Sequence, residues 1–473
     1  MNHRKSQWTE AILEKAATKD SFLVKARTGC GKSTNLQLIS HQLIDLGNPQ
    51  IFIAFNKHNA NALKGLIPAS CSTIHSLGAK LLREYYGNIT VLPDKSATLH
   101  KKLKLPGRVI AFQQAWELFR LLGHSYDNDF DGWAEVNDMV EDDVSVYEDY
   151  TEELINLDLQ MVEQGELDFT DMVWSIPFLI DDNQVSDWGT RLLMLDECQD
   201  ASGAALNFLE HVLDERTQFI GVGDDLQSIF GWAGAGKNNF PHLQKLFNTE
   251  SPLLLPLTYR CPEEITNIAQ EYCPDIQWHK QGGHVGALPI PPIYYEPGAL
   301  VIGRTYGELI PEFFPRKLSG ENVALRGSKF MESTCRAVLS ARRNKRNRNL
   351  GYSEVIENLK HDKEQKLLRL PHTLGAQERR RKLSNEVAAL NGFLEYFETY
   401  EEMYKFATNV DSPKPGTVVF SSIHRCKGDG NDNVYFLGYS EQRDNALKAQ
   451  DFEALKTTYV GVTRSSSNLY LIN

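Results

Sequence analysis

Residues 24–36 read VKARTGCGKSTNL, and the apolar run SFLVKA at 21–26 leads into them. The order is strand, glycine-rich turn, then the start of a helical pattern. Gly29 and Gly31 let the backbone curl until successive N–H groups point at one anion, and the helix start adds its dipole. Lys32 brings a positive charge, and Ser33 brings a hydroxyl suited to a divalent cation. The general cradle pattern has Gly where this chain has Ala26, so the strand–turn–helix context carries the reading. A cradle of this kind belongs at the carboxyl end of a strand in a parallel sheet.

A second stretch, RLLMLDECQD at 191–200, supplies the complement. Leu192 to Leu195 run straight into Asp196 and Glu197, with Gln199 and Asp200 behind. A buried strand that ends in adjacent carboxylates is costly unless they are neutralised. If this strand shares a sheet with the cradle, Asp196 faces the crevice that holds Lys32. Asp196, with Ser33, would then hold Mg2+, and Glu197 would orient and deprotonate an attacking water. A kinase would not ordinarily need the second carboxylate, whereas a hydrolase does.

Working outward, IFIAF (51–55) and FIGVG (219–223) read as further buried strands. ALVIGRT (299–305), NVALRG (322–327), TVVFSSIH (417–424), NVYFLG (433–438) and NLYLI (468–472) repeat the style. Runs of Val, Ile and Leu without polar alternation suit parallel sheets covered by helices on both faces. The expected fold class is α/β, with two parallel-sheet cores, each carrying a mostly helical insertion. The expected boundaries are 1–90 with 175–250 for the first core and 91–174 for its acidic insertion. Those of the second are 251–330 with 413–473, and 331–412 for a basic insertion.

The formal net charge of −12 argues against a nucleic-acid partner until its distribution is considered. Leu121 to Thr190 holds 20 Asp and Glu and no Lys or Arg, whereas Arg336 to Lys382 holds 14 Lys and Arg against 5 acids. An acidic chain can therefore still present one basic face to phosphates. The seven cysteines are scattered with no CxxC pair, which suits a reducing compartment without disulfides or structural zinc. No apolar run is long enough to span a bilayer, and MNHRKSQWTE lacks the apolar core of a secretory signal.

DECQD (196–200) joins ARTGCGKST (26–34), FNK (55–57), TIHSLG (73–78), GVGDDLQSIFGW (221–232), LTYRCP (257–262), SSIHRCKG (421–428) and YVGVTR (459–464). With these stretches in this order, the chain resembles the UvrD/Rep-like superfamily 1 (1A) DNA helicases, and AFNK with TIHSLG is most similar to compact phage and plasmid members. The resemblance implies two RecA-like cores that use ATP and Mg2+. It assigns Ala26, Thr28, Gly29, Cys30, Gly31, Lys32, Ser33 and Thr34 to the nucleotide cradle, and Lys32, Asp196 and Glu197 to hydrolysis. Gln227 would sense the γ-phosphate. Arg260 and Arg464 would be arginine fingers reaching from the second core, since a phosphoryl transition state needs fixed positive charge. Tyr259 would stack on adenine, Gln7 would read it, and Lys427 with Gly428 would link nucleotide to DNA.

By the same resemblance, Phe55, Asn56, Thr73, His75, Ser76, Ser422 and His424 line a single-strand groove. Trp232 would stack on a base, a contact that tolerates any sequence. For Trp232 and Phe55 the other reading is core packing. The chain departs from the family at Ala233, where an Arg is usual, and at Asp429 and Gly430, where a Leu and a ribose-touching Glu are usual. Gln7 stands one residue out of the usual spacing.

The expected function is an ATP-dependent DNA helicase that translocates on single-stranded DNA and unwinds duplexes, with 3′ to 5′ polarity implied by the resemblance alone. A translocase that remodels nucleoprotein or recombination intermediates without unwinding shares every motif, and so does an ATP-gated DNA-binding switch. The basic segment either grips DNA or is a solvated helix pair. The acidic stretch is either a solvated helical surface or a latch for the basic one. The expected partners are single-stranded and forked DNA, with replication or recombination proteins and no membrane. A monomer in the cytoplasm of a bacterial cell or phage-infected host completes the expectation.

Overall fold

Three apolar runs without polar alternation, Phe22–Ala26, Leu192–Asp196 and Gln218–Gly223, are buried almost throughout and lie in one sheet. The order across that sheet is Ser70–Ser72, Gln50–Ile53, Leu192–Asp196, Gln218–Gly223, Phe22–Ala26 and Leu253–Leu255, with every neighbouring pair parallel. The structure is a computed structural model. It describes all residues except 1–5, 45–48, 55–59, 62, 126–128, 141–142, 181–190, 214–215, 230–238, 289–292, 328, 371–373, 411–413 and 473. The chain divides into two compact units, one built on Met1–Pro256 and the other on Leu257–His372 and Ala376–Asn473.

In the first unit, successive strand residues point to opposite faces, and both faces are apolar. Val24, Ala26, Met194, Ile220 and Val222 pack with Ile12, Leu36 and Ile39 from the helices Gln7–Ala17 and Lys32–Ile44. Leu23, Leu193, Leu195 and Phe219 belong to a second cluster, which runs on through Trp116, Phe119, Trp133 and Leu154. Those side chains come from the helices Val109–Leu121, Asp129–Met139 and Thr151–Glu163, so the helical insertion shares its core with one face of the sheet. The register pairs Lys25 with Gly223 and Asp196 with Val222, which brings the segments after Ala26, Asp196 and Gly223 out at one edge. That edge carries the site.

The acidic insertion is more than a solvated surface. Lys95 and Arg120 are buried side by side with Asp158 and Asp171, and Asp168 closes the cluster at its rim. Lys95 Nζ lies 2.7 Å from Asp171 Oδ2 and also pairs with Asp158, while Arg120 reaches Asp171 Oδ1 at 2.6 Å and Asp168 Oδ2 at 2.7 Å. The Trp116 indole N–H donates to Asp158 Oδ2 at 2.7 Å. Three carboxylates face two cations, and burial, with Asp158 nearby, pushes the Asp171 carboxyl up to about 7 against the pull of Arg120 and Lys95. Removing one member of such a buried set typically costs about 3–5 kcal/mol.

The second unit repeats the architecture. Its sheet runs His284–Leu288, Ser465–Ile472, Asn431–Leu437, Leu300–Gly303, Val418–Ser422 and Val323–Leu325, again all parallel. Phe313 and Phe314 of the helix Tyr306–Leu318 share one cluster with Val338, Val355 and Phe393, from the helices Lys329–Arg343, Tyr352–Arg369 and Leu374–Tyr396. Two six-stranded parallel sheets are what the two-core reading expects. The edge strands Ser70–Ser72, Leu253–Leu255 and His284–Leu288 escape that reading, because an edge strand buries less and is short or carries polar residues. Within the basic segment, Arg380 is already engaged, since its Nη1 donates to the carbonyls of Leu367 and Leu370 at 3.2 and 2.6 Å.

Candidate active site

The cradle closes as its glycines predict. Gly29 and Gly31 adopt φ of 65° and 84°, in the left-handed region that disfavours a side chain. The Cys30 N–H donates to the Arg27 carbonyl at 3.2 Å, and the Gly31 carbonyl accepts from Asn35 N and Nδ2 at 2.9 and 3.0 Å. Ala26 is fully buried in the apolar cluster beneath the turn, which gives a methyl group something to do where a glycine would leave a gap. Thr28 is buried, whereas Ser33 and Thr34 lie exposed at the start of the helix Lys32–Ile44. Burial pushes the Cys30 thiol up to about 12, which makes it a packing residue rather than a reactive one.

Asp196 and Glu197 meet Lys32. The ammonium Nζ lies 2.6 Å from Glu197 Oε1, with both side chains mostly buried. The backbone N–H of Glu197 donates to Asp196 Oδ1 at 3.0 Å, and Glu197 itself has φ of 52°, a strained conformation for a non-glycine residue. Gln199 Nε2 donates to Glu197 Oε2 at 2.8 Å and to Asp200 Oδ2 at 3.2 Å, and its Oε1 accepts from Asp224 N at 3.0 Å. A Cβ on Gly223 would lie 2.1 Å from that Oε1, so the close approach requires glycine. Burial pushes the Asp196 carboxyl up to about 6, Glu197 adds to the effect, and Lys32 opposes it. Burial pulls the Lys32 ammonium down, but Glu197 and Asp196 outweigh it and hold the pKa above its usual value.

Gln227 joins the same edge by way of Asp224. Its Nε2 donates to Asp224 Oδ2 at 2.8 Å, and Arg27 Nη1 lies 2.9 Å from Asp224 Oδ1 and 2.6 Å from Asp225 Oδ1. Lys32, Asp196, Glu197 and Gln227 therefore stand on three neighbouring strand ends. A phosphate cradle, a lysine, a hydroxyl and paired carboxylates form a donor set that fits a nucleoside triphosphate with Mg2+. Ser33 and Asp196 are the residues that would hold the metal.

In the second unit, Arg260 and Arg464 converge on one loop. Arg464 is fully buried, with Nε donating to Val460 O at 2.8 Å and Nη1 to Asp429 O at 2.9 Å. Arg260 donates to Asp429 O at 3.2 Å and to Gly428 O at 3.4 Å. Gly428 has φ of 90°, and Lys427 beside it is half-buried. Asp429, one of the two family departures, gives its carboxylate to Arg326 and its carbonyl to both arginines. A Cβ on Gly430, the other departure, would press on Arg260 Nε at 3.2 Å. Tyr259 stays exposed, with its ring 4.8 Å from that of His279.

The residues expected to line a strand groove fare unequally. Phe55, Asn56 and Trp232 lie outside the described residues. The Thr73 hydroxyl caps the helix Ile74–Tyr86 by accepting from Ser76 N at 3.2 Å, so a structural duty occupies part of that pair. His75 is half-buried, and burial lowers its pKa. Ser422 is buried at the end of its strand. His424 is held neutral by burial, with Arg381, Arg304 and Lys427 also pushing its pKa down, to about 3. Its Nδ1 is buried with no hydrogen-bond partner among the described residues. Gln7 is exposed at the first turn of its helix.

Three residues escaped the reading of the sequence. Phe169 is 66% exposed, although Asp168 and Asp171 on either side are pinned to Arg120. Arg27 and Arg326 carry ion pairs to Asp224 and Asp429. For Phe169 the available signal was an aromatic between two acids in DFTD. For the arginines there was none, because their partners are remote in sequence.

Known proteins are similar to parts of this chain. Residues 9–233 match a protein family described as an AAA domain. Three relatives named ATP-dependent DNA helicase Rep are similar over parts of the chain. The one from Escherichia coli (strain K12) is 30% identical over 107 residues, which is 22% of this chain and 16% of the relative. One from Buchnera aphidicola subsp. Acyrthosiphon pisum is 26% identical over 213 residues, covering 42% and 32%, and one from the subspecies Baizongia pistaciae is 31% identical over 107 residues, covering 22% and 16%. The matched part thus spans no more than 32% of the length of these relatives. The class is that of the P-loop nucleotide-binding proteins. Within it, the chain is similar, over the parts matched, to the Rep helicases of the UvrD/Rep-like superfamily 1. Among the described residues, no helix is long and apolar enough to cross a membrane.

Proposed function

We propose that this chain is an ATP-dependent DNA helicase, which moves 3′ to 5′ along single-stranded DNA and separates duplexes ahead of it. The observation that carries the reading is the meeting of Lys32, Asp196, Glu197 and Gln227 at one sheet edge beside the Gly29–Gly31 cradle. ATP with Mg2+ would supply the phosphoryl group and the charge that polarises it. Lys32 draws the terminal phosphates into the cradle. As Lys32 turns toward phosphate it releases Glu197, whose carboxylate takes the proton of the attacking water. Gln199 holds Glu197 from the other oxygen and keeps it aimed. Gln227 senses the terminal phosphate, and Arg260 and Arg464 supply positive charge from the second unit. Tyr259 offers an exposed ring for the adenine.

On the DNA side, Phe169 joins Phe55 and Trp232 as an aromatic for base stacking, a role supported by its exposure on a pinned loop. The expected result is ATP turnover that rises with single-stranded DNA and displacement of a strand from a duplex carrying a 3′ tail. Turnover without displacement on any tailed duplex points instead to a translocase. Slow turnover indifferent to DNA length points to a switch.

A further inference from the structure

Arg27 stands where the strand Phe22–Ala26 becomes the phosphate loop. Its backbone N–H donates to Leu255 O at 3.0 Å on the neighbouring edge strand, and its carbonyl accepts from Cys30 N at 3.2 Å inside the loop. The side chain runs the other way, across the sheet edge. Its guanidinium lies 2.9 Å from Asp224 Oδ1 and 2.6 Å from Asp225 Oδ1. Lys25, two residues earlier and so on the same side of the strand, takes the other oxygen of Asp225 at 2.9 Å. The second oxygen of Asp224 holds the Gln227 amide at 2.8 Å. One unbroken path therefore runs from the Cys30 N–H of the loop through Arg27 and Asp224 to Gln227.

Resting on the reading of the site as an ATPase, we infer that Arg27 is a positioning residue, which sets Gln227 in register with the phosphate loop so that hydrolysis and its detection occur in one geometry. The Arg27 and Asp224 side chains are both almost wholly buried, so water cannot substitute for either. The guanidinium holds both carboxylates from Nη1 and is fixed in a planar group, an orientation that the rotatable ammonium of a lysine does not reproduce. The residue touches no part of the reaction itself, and acts through Asp224.

The test compares wild type with Arg27→Lys, Arg27→Met and the double variant Arg27→Met/Asp224→Asn. The measurements are ATP turnover with and without single-stranded DNA, ATP Kd, and the thermal midpoint. The expected result is an ATP Kd within about threefold of wild type and a kcat lowered at least about tenfold in Arg27→Met. Arg27→Lys recovers part of the kcat, and the double variant stays low although its buried charge is balanced. If Arg27→Met does not fold, Arg27→Lys and the double variant carry the same comparison. A double variant with wild-type kcat overturns the inference, because Arg27 then serves only charge balance. So does a kcat that falls only in step with ATP affinity and thermal midpoint. A wild type that hydrolyses ATP while every Arg27 variant matches it overturns the inference alone. A wild type that hydrolyses no ATP overturns the functional reading as well.

Discussion

Arg260 and Arg464 donate to one oxygen, the carbonyl of Asp429, at 3.2 and 2.9 Å from two different elements of the second unit. The contact is to backbone, so the identity of residue 429 matters less than the position of its peptide. Asp429→Asn should break only the half-exposed pair with Arg326 and change stability by no more than about 1 kcal/mol, with turnover near wild type. Arg464→Lys keeps the charge but loses the bonds to Val460 O and Asp429 O, and should lower turnover by about 10³-fold or more. Equal effects from the two substitutions in steady-state ATPase and urea denaturation would count against the arginine-finger reading.

Glu197→Gln should bind ATP yet lose turnover by about 10²–10⁴-fold, since it removes the base but keeps an acceptor for Gln199. Asp196 must be ionised to hold a metal, and burial, with Glu197 beside it, pushes its carboxyl up to about 6. The pH profile of kcat/KM should therefore rise through an acid limb at or below about pH 6 and then level off. A profile flat from pH 4 to pH 8 would show that Asp196 is not the titrating group.

Asp171 gives a stability prediction with a definite sign. Its folded pKa of about 7 lies above the ordinary 3.8, so the folded state holds a proton that the unfolded state releases. Stability from this group is present below pH 3.8 and is lost as pH rises to about 7. Asp168, held down at about 2 chiefly by Arg120 against burial, changes only below that window. His424 acts in the opposite sense, gaining stability as pH rises from about 3 toward its ordinary value. The comparison must therefore be a difference between Asp171→Asn and wild type. The variant should gain relative to wild type between pH 4 and pH 7, read by denaturation with the fluorescence of Trp116 and Trp174 as the local probe. No differential slope would mean that the cluster holds its charges without the proton.

Gly223→Ala should separate chemistry from folding. The new methyl group would meet Gln199 Oε1 and press on Cys198, forcing Gln199 off both Glu197 and Asp224. Overpacking of this kind costs about 1–3 kcal/mol, which a unit of this size can absorb. Turnover should fall at least about tenfold with ATP affinity nearly kept. Unchanged kcat would mean that Gln199 does not orient Glu197.

The cradle and the two sheets were legible because their causes are local. Gly29 and Gly31 are needed by the backbone they occupy, and Leu192–Leu195 with Asp196 and Glu197 announce a buried strand that ends at charge. Periodicity also separates strands from helices without knowledge of what packs on them. The acidic stretch misled for the converse reason. It contains no Lys or Arg of its own, yet Asp158, Asp168 and Asp171 are neutralised by Lys95 and Arg120, which lie upstream in the chain.

What the sequence by itself determined was therefore the central strands of both sheets, the phosphate cradle and the resemblance to a family, each written in residues that are neighbours along the chain. The tertiary structure alone decided which charges meet: Arg27 with Asp224 across two strands, Arg120 with its three carboxylates, and two arginines on the carbonyl of Asp429. The physical reason is that a buried ion pair is selected by distance and desolvation, neither of which leaves a spacing rule in the chain.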